Sequence, residues 1–254
     1  MRTRGANGVL TVRRALRVGW AGLSVLVVES TLLALAAVPS FLLLQWVARS
    51  TAGSARGVVL LCVFGPAYVL FALCFMVVSP LAMRVLGWRT PAHATLRIAQ
   101  LDWPVLDWAR YMASAHLVRL VAGAVLRATP LWTMYVRLNG ARIGRRVYIN
   151  SLEVMDHNLL DFADGVVIGA SAHLSGHTVE GGFLKTGAVT LGRNVTIGVG
   201  SVIDIDVAVG ADTQVGALSL VPKHSRLSGG ATYVGIPAKR IDAHQDRRPA
   251  FVPA

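Results

Sequence analysis

The chain has 254 residues, of which 54% are hydrophobic and only 15% charged, with a net charge of +12 at pH 7. An ordinary soluble domain is about a quarter charged, so this composition argues against one water-exposed globule and for two unlike regions. All but three of the 25 basic residues are arginine, and no nucleic-acid-binding motif accompanies them; the charge therefore points away from nucleic acid.

Residues 1–20 form a basic N-terminal segment. Arg2, Arg4, Arg13, Arg14 and Arg17 precede the first apolar run, the pattern of a segment held against an anionic membrane surface. Residues 21–88 then carry two runs, 23–47 and 57–85, each longer than the roughly 20 residues a spanning helix needs. Trp20, Trp46 and Trp88 stand at their ends, where interfacial aromatics belong. The first run is too long for the core of a signal peptide and leads directly into the second. Cys62 and Cys74 both lie within the second run and match neither a disulfide framework nor a zinc site. The short linker makes a transmembrane α-helical hairpin. Arg84, Arg89 and Arg97 follow it, so the flanks hold more arginine than the linker with Arg49 and Arg56, which places both termini in the cytoplasm at the plasma membrane. Glu29 is an intramembrane acid and so a functional candidate. It lies toward the cytoplasmic end of its span, where it can also reach headgroups or an arginine.

Residues 89–138 read as interfacial or linker helices. The stretch 117–138 is apolar but contains Arg119, Arg127, Arg137 and Pro130, which suits a helix lying on the membrane better than a third span. Trp103, Trp108 and Trp132 fit the same location.

From residue 139 to 242 the pattern changes. Ile143, Ile149, Phe162, Ile168 and Leu174 are followed by seven anchors at six-residue spacing: Leu191, Ile197, Ile203, Val209, Val215, Val221 and Leu227. Gly often follows the anchor, as a residue of little bulk for a tight turn. A six-residue internal repeat is the signature of a parallel β-helix whose anchors share one core. Two segments, 150–161 and 175–190, break the rhythm, and loops ejected from a solenoid are where function usually sits. Residues 243–254 form a C-terminal tail.

With these residues in view, the chain resembles the hexapeptide-repeat acyltransferase family, and Gly235-Ile236-Pro237-Ala238-Lys239-Arg240-Ile241 looks like the segment that ends the β-helix in many of them. More narrowly, residues 140–240 resemble the membrane-attached C-terminal domain of poly-lysine-synthetase-like nonribosomal peptide synthetases. The segments that carry this are Asp156-His157-Asn158-Leu159-Leu160, Gly176-His177-Thr178-Val179-Glu180 with Leu184-Lys185, and Gly216-Ala217-Leu218-Ser219-Leu220-Val221-Pro222-Lys223. The resemblance implies a mixed fold, an N-terminal transmembrane hairpin followed by a left-handed parallel β-helix. It also implies a homotrimer and a thioester donor, acetyl-CoA or a carrier-protein thioester, with no bound cofactor. An adenylation–carrier protein or synthase is an implied partner, because the chain lacks that module.

His177 is the candidate general base, since a neutral imidazole can take a proton from an attacking hydroxyl or amine. Glu180 or Asp156 is its candidate orienter, and Lys185 a candidate for donor or oxyanion binding. Asn158, Lys223, Lys239 and Arg240 are candidates for substrate or donor binding; the basic residues of the last coils, His224 and Arg226 among them, are equally read as a solvated basic end. His157, His173 and His177 raise a zinc-binding γ-class carbonic anhydrase as a rival. There two ligands lie five residues apart, whereas His173 and His177 are four apart, which turns one side chain away, so no metal is expected. The resulting expectation is a membrane-anchored transferase moving an acetyl or aminoacyl group to a hydroxyl or amine. The alternative is a non-catalytic trimeric β-helix scaffold at the membrane.

Overall fold

The computed structural model describes residues 3–241, with side chains from residue 12 onward; Arg2, the side chain of Arg4 and the tail 243–254 lie outside what is described. The chain divides into two units, one of Met1–Arg89 with Arg97–Leu126, the other of Thr90–Leu96 with Arg127–Ala254.

The first unit is helical. Helix α1 (Thr3–Ser50) and helix α2 (Ala55–Leu86) are joined by a four-residue turn and packed antiparallel, with Ser40 Oγ donating to the Ala67 carbonyl at 2.7 Å. Both are long and apolar enough to cross a membrane. Leu16, Leu26, Leu61, Phe64 and Val85 stand exposed along them. Helix α3 (Trp103–Val118) passes through a π-helical turn at Arg119–Gly123 into the short α4 (Ala124–Leu126). The Tyr68 hydroxyl donates to the carbonyl of Val121 in that turn at 2.5 Å. Glu29 departs from one sequence expectation. It is buried inside the unit, beside Ser114 of α3, rather than extended toward headgroups or an arginine.

Pro130 opens a helix instead of breaking one. Helix α5 (Pro130–Leu138) has Pro at its first turn and Thr129 as its cap, whose Oγ1 accepts from the Trp132 N–H, because proline's missing N–H costs nothing at that position. The stretch 117–138 is therefore two segments in two units. Trp132 is buried, its Nε1–H donating to the Ser151 carbonyl at 3.2 Å, and does not occupy a membrane interface.

The second unit is built on three columns of stacked anchors. Ile149, Ile168, Ile197, Val215 and Tyr233 pair in parallel register on one face. Ile143, Phe162, Leu191, Val209 and Leu227 form the second, and Leu174, Ile203 and Val221, extended by a bridge from Val154, the third. Each coil turns through three corners. At most corners the residue three places after the anchor takes the left-handed conformation, as at Asn194, Asp206, Asp212 and His224, or at Gly165, Gly200 and Gly230. The Gly directly after the anchor has a different reason from the turn expected for it. A Cβ on Gly198 would stand 2.4 Å from the Ala217 nitrogen, and one on Gly169 2.7 Å from that of Val199. That position is glycine because the next coil's backbone passes there.

Both breaks in the rhythm leave the same corner, between the third column and the second. After Val154 the chain forms a 3-10 turn at His157–Leu159; one coil on, after Leu174, it leaves as a β-hairpin, His177–Glu180 against Phe183–Thr186. The hairpin turns at Gly181-Gly182, both with positive φ, the geometry of a two-residue type I′ turn. Helix α5 packs on the first strands, Arg142–Ile143 and Tyr148–Ile149. At the other end Lys239–Ile241 pairs antiparallel with Thr232–Val234 and ends the parallel stacking.

Gly198→Ala is expected to lower stability by about 1–3 kcal/mol through overpacking of the backbone contact, measured as a fall in the thermal midpoint. An unchanged midpoint would show that the coils do not touch there.

Candidate active site

Because the two ejected segments leave one corner on successive coils, Asp156 of the first meets Ser175, Gly176 and His177 of the second. Asp156 adopts a left-handed backbone (φ 54°) ahead of the 3-10 turn and is 0% exposed. Its Oδ1 accepts from Thr90 Oγ1 at 2.6 Å; its Oδ2 accepts from the Gly176 N–H at 3.0 Å and lies 2.6 Å from His177 Nδ1. Ser175 Oγ accepts from the His177 N–H at 3.2 Å and has Asp156 Oδ2 (3.2 Å) and the His177 carbonyl (2.8 Å) as acceptors for its one proton. Gly176 is required by contact: a Cβ there would lie 2.9 Å from Asp156 Cβ.

This arrangement fixes a tautomer. A carboxylate 2.6 Å from Nδ1 holds the proton on that nitrogen, and a neutral imidazole that donates through Nδ1 carries its lone pair on Nε2. Burial opposes ionisation of Asp156, but hydrogen bonds from His177 and Thr90, together with the positive charge the ring carries when it is protonated, outweigh it and hold the carboxyl below the usual aspartate range. The His177 side chain is 19% exposed, so the ring is anchored at one edge while still reached from outside.

The other sequence candidates fall elsewhere. Glu180 sits at the far end of the hairpin strand, one oxygen accepting from Lys185 and the other from Lys223; the carboxylate set on the His177 ring is that of Asp156. Hydrogen bonds from Lys185 and then Lys223 lower the Glu180 carboxyl to about 2, so it fastens the hairpin to the last coil. Lys185 and Lys223 are thereby brought together on one carboxylate. Asn158 uses both ends of its amide on the backbone of Thr90, accepting from its N–H at 3.2 Å and donating to its carbonyl at 2.8 Å. That clasp positions the Thr90 hydroxyl over Asp156 and leaves Asn158 a scaffolding part. Lys239 and Arg240 are exposed on the terminal strand. His224 Nδ1 and Arg226 bond Asp206 at 2.8 and 2.7 Å, and those bonds, His224's first, hold the Asp206 carboxyl below its usual range. His157 is buried edge-on to Tyr135 (5.6 Å between rings) and His173 lies in the strand facing Val202, so neither joins His177. Thr90 and Ser175 are the parts that sequence reasoning missed. Ser175 directly precedes Gly176-His177, whereas nothing local marks Thr90, 66 positions from Asp156.

No family model matches the chain. It is similar to galactoside O-acetyltransferase of Escherichia coli, 33% identical over 113 residues, covering 41% of this chain and 55% of that protein. The region of similarity is to a hexapeptide-repeat acetyltransferase. A second relative, delta-poly-L-ornithine synthetase of Acinetobacter baumannii, is 24% identical over 168 residues, 65% of this chain and 12% of that protein. The chain thus spans between about an eighth and a little over half of these curated relatives. Hexapeptide-repeat structures are also similar, among them an acetyltransferase of Vibrio cholerae with acetyl coenzyme A (23% identity, TM-score 0.37, 41% of this chain and 60% of that one) and a galactoside acetyltransferase with coenzyme A (20%, 0.37, 44% and 69%).

The depressed Asp156 value has a stability consequence. Its contribution is fully present above the unfolded aspartate range near 3.9 and is lost as pH falls through the lower folded value. Asp156→Asn is therefore expected to flatten the fall of the thermal midpoint below about pH 4. Parallel midpoint-against-pH curves for the two proteins would contradict the buried ionised carboxylate.

Proposed function

We propose that this chain is a membrane-anchored hexapeptide-repeat acyltransferase, with His177 as general base. The observation that carries the reading is the 2.6 Å contact of His177 Nδ1 with the buried Asp156 carboxylate, at the corner where both irregular segments emerge. Nε2 takes the proton of an acceptor hydroxyl or amine as that group attacks the thioester carbonyl. The new C–O or C–N bond forms, the C–S bond breaks, and the proton passes from His177 to the departing thiolate. Asp156 holds the tautomer and offsets the imidazolium charge, as an orienting carboxylate does in the general acid–base template.

The donor we assign is a CoA or carrier-protein thioester, the acyl group acetyl or aminoacyl. CoA and acetyl-CoA are named with the similar structures, and the similarity to a poly-ornithine synthetase supports the aminoacyl form. Lys185, Lys223, Lys239 and Arg240 are assigned to the donor's anionic end; the first two are already gathered by Glu180 beside the hairpin. We assign a left-handed sense to the coil, from its six-residue period and three corners, and a homotrimer as the active assembly. Helices α1 and α2 anchor the chain in the plasma membrane as a hairpin with both ends cytoplasmic, where thioesters are made. This reading takes its support from their apolar length and the arginines that flank them.

His177→Ala is expected to lower turnover about 10²–10⁴-fold with the thermal midpoint little changed, scored as thiol release from acetyl-CoA with a panel of amine and hydroxyl acceptors. Asp156→Asn should reduce kcat by about 10² or more with little change in KM, because it acts through the tautomer. Full activity in His177→Ala, or no thermal protection of the wild-type chain by any thioester, would leave a scaffold in place of an enzyme.

A further inference from the structure

A short strap crosses the corner where the candidate site lies. Residues up to Arg89 and from Arg97 onward to Leu126 belong to the helical unit, but Thr90–Leu96 between them belong to the repeat unit. Apolar burial does not explain the excursion: Ala92, His93 and Thr95 are exposed, and Pro91, Ala94 and Leu96 are half-buried. The residue it drives inward is polar Thr90, 1% exposed.

The strap is fastened to both ejected segments. At its start Asn158 clasps the Thr90 backbone through two bonds, and the Thr90 hydroxyl donates to Asp156 Oδ1 at 2.6 Å. Four residues on, the Ala94 carbonyl accepts from the Thr186 N–H and the Ala94 N–H donates to the Thr186 hydroxyl, both at 2.9 Å. Thr186 is the residue paired with His177 across the hairpin. One end of the strap therefore holds the segment of the carboxylate, and the other the segment of the imidazole.

The two oxygens of Asp156 have different neighbours. Oδ2 meets the Gly176 N–H, Ser175 Oγ and His177 Nδ1, whereas Oδ1 takes the Thr90 hydroxyl. Bonds at both oxygens fix the plane of the carboxylate, so that Oδ2 stays aimed at the ring. The titratable groups that face Asp156 are His177 and, from its own 3-10 turn, His157; His93 of the strap is exposed. A buried carboxylate that loses a donor holds its charge less readily, and a protonated Asp156 no longer keeps the proton on His177 Nδ1. The strap is also the part of the site that can come away. It is held by hydrogen bonds with little apolar burial, the profile of a segment that opens locally at low cost.

We propose that Thr90 is a positioning residue for acyl transfer and that the strap carrying it is a switch on that site. Seated, the strap braces both ejected segments and holds Asp156 aimed at His177; lifted, it releases them and the pair loses its alignment. The chain runs into the strap from the end of α2 at Leu86 and out of it toward the start of α3 at Trp103, so the switch is covalently tied to the helices at both ends. This inference rests on the acyl-transfer reading of His177 and Asp156 given above.

The test compares three variants of the full chain in lipid nanodiscs with wild type. Thr90→Val keeps the shape and loses the hydroxyl, Thr90→Ser keeps the hydroxyl, and Asn158→Ala frees the strap backbone with the hydroxyl in place. Thr90→Val is expected to lower kcat about tenfold, the worth of one hydrogen bond to a charged group, with little change in KM. The acid limb of its kcat profile should move to higher pH, because Asp156 then takes up a proton more readily. Its thermal midpoint should lie below that of wild type above about pH 4 and converge with it in acid, since the lost bond is to the ionised carboxylate. A merely structural contact would give parallel curves. Thr90→Ser should restore kcat, the acid limb and the midpoint, and Asn158→Ala should lower kcat with faster hydrogen exchange at the Thr90 amide. If wild type turns over no thioester, the acyl-transfer reading fails by itself, and the midpoint-against-pH curves still decide whether Thr90 acts on the Asp156 charge. The switch is overturned if Thr90→Val leaves kcat unchanged or gives parallel midpoint curves, if Thr90→Ser behaves like Thr90→Val, or if Asn158→Ala keeps the wild-type kcat.

Discussion

Each uninterrupted coil of the repeat unit closes on itself in eighteen residues, so that Ile197 lies under Val215 and Ile203 under Val221. Parallel stacking in register tolerates extra residues only if they leave at a corner and return to it, because a shift within a strand would turn the anchor outward. The chain meets this constraint twice at one corner. The consequence is chemical: residues ejected on successive coils are neighbours in space, and a carboxylate from one, Asp156, is delivered to an imidazole from the other, His177. The buried network of Thr90, Ser175 and the Gly176 N–H then keeps that carboxylate ionised and aimed.

How much of this was legible in the sequence follows from the range of the forces involved. The anchors are periodic because one core demands the same residue class every six positions, so their register could be read directly. Val154 escaped notice because it serves the third column from within an irregular segment, five residues after Ile149 rather than six. The glycine that often follows an anchor was visible but misread; its cause is the backbone of the next coil. The left-handed corner, by contrast, is filled by Asn, Asp, Gly, His, Leu and Arg alike, so it leaves little trace. In the site, His177 stood out through its neighbours in the chain. The choice between Asp156 and Glu180 depended on the fold, because the hairpin carries Glu180 three residues out toward Lys223 while the preceding coil brings Asp156 back.

The helical unit obeys a different balance. Its long helices expose large aliphatic and aromatic side chains outward and keep polar ones, Glu29, Ser79, Arg110 and Ser114, inward. In the membrane setting proposed above, this ordering suits a hydrocarbon surrounding, in which polar groups gather toward other helices. The apolar runs were evident from composition alone. That 117–138 divides between two units was not, because Pro130 reads locally as a break although, with Thr129 as cap, it starts a helix.

The two ends of the stacked coils deserve comparison for what they prevent. A parallel solenoid with bare first and last rungs would present an open ladder of N–H and C=O groups, a template on which another molecule's coil could continue the stack into a filament. Here α5 covers the opening strands, and the final strand, Lys239–Ile241, runs backwards against Thr232–Val234. A reversed strand offers the wrong polarity for a further parallel coil, and it carries Lys239 and Arg240 on its exposed positions. The same twenty or so residues that finish the fold therefore also stop it from growing, which lets a repetitive, adhesive architecture exist as a unit of fixed length.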